Sequence, residues 1–398
     1  MRWRIALGLV VLLAVGLGLN YLRPIPPVDA TSTIPSQKTI PGTPPQLPWP
    51  STGSAAVGVS GLGKLADSGN EAPLPMASVA KVMAATVVLH DKPFPLGQTG
   101  GSITITDLDV QGYENERAQQ QSVVPVQAGE VLSEYQALQA MLIPSANNIA
   151  ETLARWDAGS VPAFVDRMNA RARSLGLKRT RFADPAGSSS QSVSTPTDLL
   201  ALGVAAAADP VFAQIVAEAQ ARLPVAGIVY NVDAALGKDG INGIKTGSGL
   251  ESGANFLFSA SVDVAGHAVT IFGCVMGQPT LQAAFDAADS LIKAVQAALT
   301  VSNALLLHET VATYDTPWGW HANVISESAV TLVEWPGMIL HETLHGRTLA
   351  VDKPLDPGTP AGTLRIVLGD YDLSVTLITA TVIYPPGRFW RLTRLPNI

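Results

Sequence analysis

The sequence predicts an α/β (α+β) fold in which an antiparallel sheet is flanked by helices, followed by a small C-terminal all-β domain. A strand pattern at residues 55–60 precedes a block of helical patterns, and period-two patterns return between residues 241 and 276. A last helical pattern covers residues 281–299, and beyond residue 300 short β-patterned runs are bounded by Gly, Pro and Asp. This order describes a sheet covered by helices, with a separate β domain after it.

The helical block contains one segment that stands out. Residues 76–89 are Ala-rich and apolar on nearly all sides, which predicts a buried central helix rather than a surface helix. The strand region is expected to contain a hairpin that turns at Val264-Ala-Gly266. The remaining helices are expected at residues 133–141, 145–156, 161–175 and 197–207.

The composition limits the classes of protein to consider. With 398 residues, 47% hydrophobic and 14% charged, the chain can form one large core and a second, smaller one. The net charge is −7 and the basic residues are scattered, so we expect no nucleic-acid partner. Cys274 is the single cysteine, which excludes an intramolecular disulfide and a thiolate metal cluster. Its β-patterned apolar surroundings predict an inert, buried thiol.

The N-terminus carries an export signal. Arg2 and Arg4 precede an apolar stretch at residues 5–19, and the positive flank predicts that the N-terminus stays inside. About 20 apolar residues are needed to span a bilayer, so residues 1–23 are either a cleaved signal peptide or a retained signal anchor. We favour the anchor, because the nearest candidate cleavage site, Val28-Asp29-Ala30, lies beyond several prolines.

The rest of the chain divides into three expected regions. Residues 24–51 are rich in Pro, Ser and Thr, which predicts an extended spacer between membrane and folded domain. Residues 52–300 form the expected main domain, and residues 301–398 the β-rich domain.

Three short motifs in the main domain point to chemistry. They are Ser78-Val-Ala-Lys81, Ser145-Ala-Asn147 and Lys245-Thr-Gly247. The first two patterns would each occur about once by chance in a chain of this composition, whereas the third is rare. Ser68-Gly-Asn70 also fits the second pattern, but its turn-like surroundings predict a surface loop. Context must therefore decide which matches matter.

The first motif pairs a serine with an amine. Ser78 falls at the start of the central helix, and Lys81 lies one turn later on the same face. Lysine can deprotonate serine if its ammonium is destabilised by burial or by a neighbouring cation, and Lys245 is a candidate for that cation. The alternative is that Ser78 caps the helix beside a solvated Lys81, which fits poorly with a helix that is apolar all round.

The other two motifs suit proton transfer and substrate binding. Ser145 follows Pro144 at a predicted helix start, where its hydroxyl could shuttle a proton or cap the helix. Asn147 could donate its amide to a substrate carbonyl or contribute to the same cap. Lys245-Thr-Gly247 heads a strand, where Lys245 and Thr246 can hold a carboxylate and Gly247 lets a substrate backbone lie close. A surface turn is the alternative for this motif.

With these motifs the chain resembles the low-molecular-weight penicillin-binding proteins, the D-alanyl-D-alanine carboxypeptidase family, whose fold is shared with serine β-lactamases. The similarity covers about residues 52–300. Ala80 stands where Thr is frequent, and Ala146-Asn147-Asn148 replaces the commoner Gly-Asn-Asp; neither change removes a reacting atom. Five stretches carry the similarity: residues 74–83, 141–150, 164–177, 182–187 and 243–253.

The resemblance implies a role for each motif residue. Ser78 is acylated with Lys81 as its general base, and Ser145 and Asn147 complete the proton path and the substrate contacts. Lys245 and Thr246 bind the terminal carboxylate. The backbone N–H groups of Ser78 and Ser248 form the oxyanion hole.

The resemblance also implies the partners and the location. The substrate is a peptidoglycan stem peptide that ends in D-Ala-D-Ala, and β-lactam antibiotics are covalent inhibitors. Neither a cofactor nor a metal is expected. The enzyme acts on the extracytoplasmic face of the cell membrane, to which the N-terminal segment attaches it. A β-lactamase on the same scaffold and a non-catalytic peptidoglycan-binding relative are the alternatives.

One further pattern suggests a different chemistry. His341-Glu342-Thr-Leu-His345 spells the H-E-x-x-H motif of zinc proteases. That motif needs a helix, whereas this stretch lies between Pro336-Gly337 and Gly346 in a β-patterned domain. We therefore expect partner-facing or solvated histidines here and no zinc catalysis.

Overall fold

The computed structural model describes residues 2–395 and separates into two compact units. The α+β unit runs from Pro44 to Leu299. The β-rich unit combines the N-terminal segment up to Thr43 with the chain from Thr300 onward. The N-terminal segment contains helix α1 (Arg2–Leu22) and strands β1 (Ala30–Ser32) and β2 (Gln37–Thr39).

The α+β unit is organised around a five-stranded antiparallel sheet. Its strands are β3 (Ser54–Val59), β4 (Gly63–Asp67), β11 (Ile241–Gly249), β12 (Gly253–Val264) and β13 (His267–Gln278), in the order β11-β12-β13-β3-β4. Three short pairs accompany it: β5 (Leu74–Pro75) with β8 (Val193–Ser194), β6 (Ser102–Thr104) with β7 (Val131–Ser133), and β9 (Gln220–Leu223) with β10 (Gly227–Tyr230). The expected hairpin turns at Val264-Ala-Gly266, since Val264 pairs with His267.

Helices cover both faces of this sheet. Phe256 of β12 meets Phe285 edge-on with ring centroids 4.9 Å apart, while Leu257 packs against Gly203. Successive strand residues point to opposite faces, so these two contacts mark the two layers. The helices are α2 (Ala80–Asp91), α3 (Asp107–Ala118), α4 (Glu134–Leu142), α5 (Asn147–Ala158), α6 (Val161–Ser174), α7 (Pro196–Ala207), α8 (Pro210–Val216) and α9 (Leu281–Ala298).

Helix α2 is the central helix that the sequence predicts. Ten of its twelve residues are buried, from Ala80 to Leu89. A short 3-10 turn, Ala77–Val79, leads into it. Burial on all sides explains the absence of a polar face, and it leaves Lys81 inside the protein.

The β-rich unit is built on a seven-stranded antiparallel sheet in the order β1-β15-β16-β20-β19-β18-β2. Strands β14 and β17 form a separate pair, and a short helix, α10, ends the described chain. The bounds are β14 (Thr300–Leu305), β15 (Thr310–Asp315), β16 (His321–Ser326), β17 (Val330–Glu334), β18 (Ile339–Gly346), β19 (Pro360–Leu368), β20 (Tyr371–Thr379) and α10 (Arg388–Thr393).

The expected spacer at residues 24–51 is wrong for its first half. Strand β1 pairs with β15 and strand β2 pairs with β18, so the segment supplies both edges of the seven-stranded sheet. Val28 and Ile40 are buried. The physical reason is that a sheet edge offers unpaired backbone groups, and edge strands tolerate the Pro-rich composition that predicted a spacer.

Helix α1 is long and apolar enough to cross a membrane. Residues 3–22 have a mean hydropathy of 2.3, and none of this stretch is buried in the protein. By length and composition it suits either a membrane anchor or a signal sequence.

Candidate active site

The centre of the site is the contact between Ser78 and Lys81. Ser78 lies in the 3-10 turn before α2, and the helical path of the chain brings Lys81 Nζ within 2.8 Å of Ser78 Oγ. Lys81 Nζ also lies 2.6 Å from Asn147 Oδ1 and 2.9 Å from the Ala186 carbonyl oxygen. A neutral amine has two hydrogens and one lone pair. With its hydrogens donated to the two carbonyl oxygens, the lone pair is left for the Ser78 hydroxyl.

The electrostatics favour that neutral amine. Lys81 is 0% exposed, and burial holds its pKa well below the usual lysine value. The positive charge of Lys245 lowers the Lys81 pKa further, whereas Asp184 and Glu116 act in the opposite direction. The sequence predicted both causes of the shift, burial and a neighbouring cation.

Lys245 itself is buried in strand β11. It is 2% exposed, and burial lowers its pKa to about 7, against the opposing effect of Asp233. Its Nζ donates to the Thr246 carbonyl oxygen at 3.1 Å. Among the described residues, no carboxylate is in direct contact with Lys245. An anion that entered the site would therefore find the Lys245 ammonium without a competing ion pair.

Gly247 sets the distance between β11 and the serine. A Cβ added at Gly247 would lie 2.8 Å from the Met76 carbonyl oxygen and 3.0 Å from the Ser78 nitrogen. Only glycine lets the strand approach the 3-10 turn this closely. Thr246 is buried beside it, and Ser248 is exposed one residue further along the strand.

Ser145 lies in the turn before α5 and not inside the helix. The sequence predicted a helix from residue 145, but α5 begins at Asn147 because Ser145 adopts a left-handed φ of 66°. Ser145 is buried and two residues from the Lys81 contact at Asn147. Left-handed non-glycine residues persist where surrounding structure imposes them, and they cluster at functional sites.

Asn147 connects Lys81 to groups that sequence reasoning missed. Its Oδ1 accepts from Lys81, so its Nδ2 donates to Gln121 Oε1 at 2.7 Å and to Ser188 Oγ at 3.0 Å. No local pattern marks Gln121 or Ser188, because both are brought to Asn147 by tertiary structure. These contacts fix the orientation of the amide and therefore of the lysine.

Asn148 explains one departure from the family pattern. Its Oδ1 accepts from the Val124 N–H at 3.1 Å and its Nδ2 donates to the Val124 carbonyl oxygen at 3.0 Å. An aspartate could accept but not donate. The amide therefore clamps both backbone groups of Val124 and holds the segment that carries Gln121.

A turn at residues 182–187 supplies the third partner of Lys81. Asp184 accepts hydrogen bonds from the backbone N–H groups of residues 186–189, and this shapes the turn. Gly187 has a φ of 78°, and an added Cβ would lie 1.8 Å from the Ala77 carbonyl oxygen. The turn is thus packed against the serine with Ala186 aimed at Lys81. Its Asp-Pro-Ala-Gly sequence is a turn signal that could have predicted this role.

The family model described as D-alanyl-D-alanine carboxypeptidase matches residues 61–280, which is more than half of the chain. The chain belongs to this family. The matched segment contains all three motifs and both unpredicted contacts of Asn147.

Relatives in the family carry two kinds of name. A D-alanyl-D-alanine endopeptidase from Pseudomonas aeruginosa is 35% identical over 164 residues, which is 41% of this chain and 50% of the relative. A D-alanyl-D-alanine carboxypeptidase from Mycobacterium tuberculosis is 34% identical over 154 residues, 38% of this chain and 48% of the relative. The chain thus spans about half the length of the curated relatives it matches.

Solved structures confirm the predicted fold. The crystal structure of the Streptomyces K15 DD-transpeptidase aligns with a TM-score of 0.55 at 24% identity, over 64% of this chain and 100% of that one. Penicillin-binding protein 5 from Haemophilus influenzae aligns with a TM-score of 0.62 at 20% identity, over 86% of this chain and 99% of that one. At these identities the likeness concerns the fold alone.

The remaining sequence candidates take part in none of the contacts described above. Cys274 is buried in β13, where burial raises the pKa of its thiol. His341-Glu342-Thr-Leu-His345 forms part of strand β18, with both histidines exposed. Four residues along a strand span about 13 Å, so the helical spacing of the zinc motif is not met. Within residues 2–395 no group of three metal-ligating side chains is arranged to hold an ion.

Proposed function

We propose that the protein is a serine-type D-alanyl-D-alanine carboxypeptidase, which trims the terminal D-Ala from peptidoglycan stem peptides through an acyl-enzyme on Ser78. The observation that carries the proposal is the contact set of Lys81. The amine is buried, and its two hydrogens have two carbonyl oxygens as acceptors. The lone pair of the neutral amine is left for the Ser78 hydroxyl, 2.8 Å away. Such an amine can take the serine proton during attack.

The proposed reaction begins with acylation. Ser78 Oγ attacks the carbonyl carbon of the penultimate D-Ala while Lys81 takes the hydroxyl proton. The tetrahedral oxyanion accepts hydrogen bonds from the backbone N–H groups of Ser78 and Ser248. The peptide C–N bond then breaks, and the proton passes through Ser145 to the amine of the leaving D-alanine. Lys245 and Thr246 hold the carboxylate of that residue.

Deacylation completes the cycle. Water attacks the ester carbonyl of the acyl-enzyme, Lys81 accepts a proton from the water, and the Ser78 oxygen leaves as a hydroxyl. The products are the shortened peptide acid and the free enzyme. A β-lactam follows the first half of the same path, and its ring-opened acyl group stays on Ser78 when this second step is slow.

The substrate preference has a second candidate. Relatives named D-alanyl-D-alanine endopeptidase occur beside the carboxypeptidases, which favours cleavage of cross-linked peptides as the alternative activity. Both activities use the same acyl-enzyme and differ in what leaves. The location proposed for either is the extracytoplasmic face of the cell membrane, with α1 retained as the anchor.

The test uses the purified full chain and its Ser78→Ala variant. We expect intact-mass analysis to show one penicilloyl adduct on the wild type and none on the variant, and D-alanine to be released from a stem pentapeptide. Cleavage of a cross-linked dimer without D-alanine release would show that the activity is that of an endopeptidase and not of a carboxypeptidase. Rapid penicillin turnover without peptide cleavage would instead identify a β-lactamase. The absence of both the adduct and peptide cleavage would identify a non-catalytic relative.

A further inference from the structure

Both hydrogens of the Asn147 side-chain amide are already donated within the protein. Its Nδ2 donates to Gln121 Oε1 at 2.7 Å and to Ser188 Oγ at 3.0 Å, while its Oδ1 accepts from Lys81 at 2.6 Å. A primary amide has only two hydrogens to give. Asn147 can therefore donate to a substrate carbonyl only after one of these two partners has left.

The burial of the site agrees with this arrangement. Ser78 is half-buried, so the nucleophile is open to solvent, whereas Asn147 is only 7% exposed. The two side chains that contact its Nδ2 also contact each other, since Ser188 Oγ donates to Gln121 Oε1 at 3.4 Å. Gln121 and Ser188 thus cover the amide that is expected to bind the substrate.

Gln121 presents the same chemical group as a peptide substrate. Its Oε1 is the oxygen of an amide carbonyl, and it accepts a hydrogen bond with the same geometry as a peptide carbonyl oxygen. Its contact with Asn147 Nδ2 is also the shorter of the two. Gln121 Oε1 therefore occupies the position that a substrate carbonyl oxygen would take at this donor.

Only the side chain of Gln121 has to move for this position to open. The backbone is anchored, because Gln121 N–H donates to the Glu116 carbonyl oxygen at 3.0 Å and Asn147 N–H donates to the Ser122 carbonyl oxygen at 2.7 Å. The Gln121 Nε2 group donates to Oε1 of the exposed Gln119 at 2.9 Å. Rotamer changes of side chains that reach solvent are much faster than an enzymatic turnover.

The position of Asn147 indicates which substrate carbonyl would replace Gln121. In the proposed reaction the oxygen of the scissile carbonyl enters the oxyanion hole and is not free for Asn147. The next carbonyl belongs to the acyl group on the amine of the penultimate D-Ala. Asn147 is connected to Ser78 through Lys81 by contacts of 2.6 Å and 2.8 Å, which places its amide close to that acyl group.

We propose that Gln121 is a specificity-determining residue that competes with the substrate for Asn147: it holds the amide in the free enzyme and is displaced by the acyl carbonyl of the bound peptide. An acylated substrate must break the Gln121 hydrogen bond to form its own. A molecule without the acyl carbonyl leaves Gln121 in place and loses nothing, so Gln121 narrows the difference between the two. Because it requires an acyl-enzyme on Ser78, this role of Gln121 rests on the proposed function.

The experiment compares two β-lactams on the full chain. Benzylpenicillin carries an acyl carbonyl on the amine beside its β-lactam ring, whereas 6-aminopenicillanic acid has a free amine there. Intact-mass time courses give the rate constants of adduct formation for the wild type and for Gln121→Ala. We expect the ratio of the benzylpenicillin rate constant to the 6-aminopenicillanic acid rate constant to rise by about fivefold in Gln121→Ala, because one neutral hydrogen bond no longer opposes the acyl carbonyl.

The matched control is Gln127→Ala. Gln127 is an exposed glutamine on the same segment, and its substitution should leave the ratio of rate constants unchanged. Thermal unfolding shows whether each variant folds. If Gln121→Ala does not fold, it is replaced by Gln121→Ser, whose hydroxyl is too short to reach Asn147 and for which we expect the same rise.

An unchanged or lower ratio in the Gln121 variant would overturn the proposal. An equal fall of both rate constants is one such result, and it would show that Gln121 only orients Asn147. The same rise in Gln127→Ala would also overturn the proposal. If the wild type forms no adduct, the acyl-enzyme is rejected together with the role of Gln121, whereas an adduct with an unchanged ratio rejects the role of Gln121 alone.

Discussion

Two motifs with similar spacing have opposite structural contexts in this protein. Ser78 and Lys81 lie on a 3-10 turn that runs into a helix, and their reacting atoms are 2.8 Å apart. His341 and His345 lie on strand β18, where four residues extend over about 13 Å. The backbone conformation of the element, more than the residue types, therefore decides whether side chains at such a spacing come into contact.

The same two regions also differ in the burial of their side chains. Lys81 is completely buried, and its pKa is lowered by that burial and by Lys245. His341 and His345, by contrast, are exposed on the surface of strand β18. The pKa of an ionisable group shifts when protein atoms replace the water around it. We therefore expect substitutions to reduce activity at the Ser78–Lys81 site and to leave it unchanged at His341 and His345.

The largest effect is expected for Lys81→Met. Methionine fills nearly the same space but has no amine, so the general base is lost while packing is kept. We expect the rate of covalent penicillin binding to fall by about 10³-fold. Intact-mass time courses measure it, with a substitution of the exposed Lys64 of strand β4, Lys64→Met, as the control. A rate within tenfold of the wild type would place the base elsewhere.

A smaller loss is expected for Asn147→Asp. A carboxylate 2.6 Å from Lys81 Nζ would favour the ammonium and raise the Lys81 pKa, so fewer molecules carry the free amine at neutral pH. Acylation at pH 7 should fall by about 10- to 100-fold and recover as the pH rises. The pH profile of adduct formation tests this. Asn70→Asp, in the surface loop, should leave the profile unchanged, and a profile identical in Asn147→Asp would contradict the assignment.

Lys245→Gln should change the pH profile of peptide cleavage. The Lys245 pKa is about 7, so its ammonium is lost above that pH and kcat/KM for a D-Ala-D-Ala peptide should decline on the alkaline side. In the variant that decline disappears, and kcat/KM at pH 6 falls by about 10- to 100-fold through loss of a charged hydrogen bond. Exposed Lys178→Gln is the control. If kcat/KM still declined on the alkaline side in Lys245→Gln, the decline would come from the titration of another group.

The smallest effect is expected for His341→Ala/His345→Ala. Both side chains are exposed on β18, so stability should change by less than about 0.5 kcal/mol and peptide cleavage by less than about twofold. Thermal unfolding and D-alanine release measure these, with and without a metal chelator. Inhibition by the chelator, or loss of cleavage in the variant, would restore the metal hypothesis.

Local geometry explains what could be predicted. The Ser78–Lys81 contact follows from helical spacing, and the hydrophobic composition of residues 76–89 predicts the burial that makes the lysine reactive. The hairpin at Val264-Ala-Gly266 likewise depends on neighbouring residues only. The helix start at Ser145 was wrong by two residues, because a left-handed turn imposed by its surroundings overrides the local helix signal.

The sequence by itself determined the fold class, the family and the three motifs, since each depends on residue order and hydrophobic period. Only the tertiary structure decided that Asn147 and Ala186 complete the contacts of Lys81, and that residues 30–39 close the edges of the β-rich sheet. Those contacts join residues 66 to more than 300 positions apart in the chain. Their partners are selected by packing and backbone hydrogen bonding, which local sequence patterns do not encode.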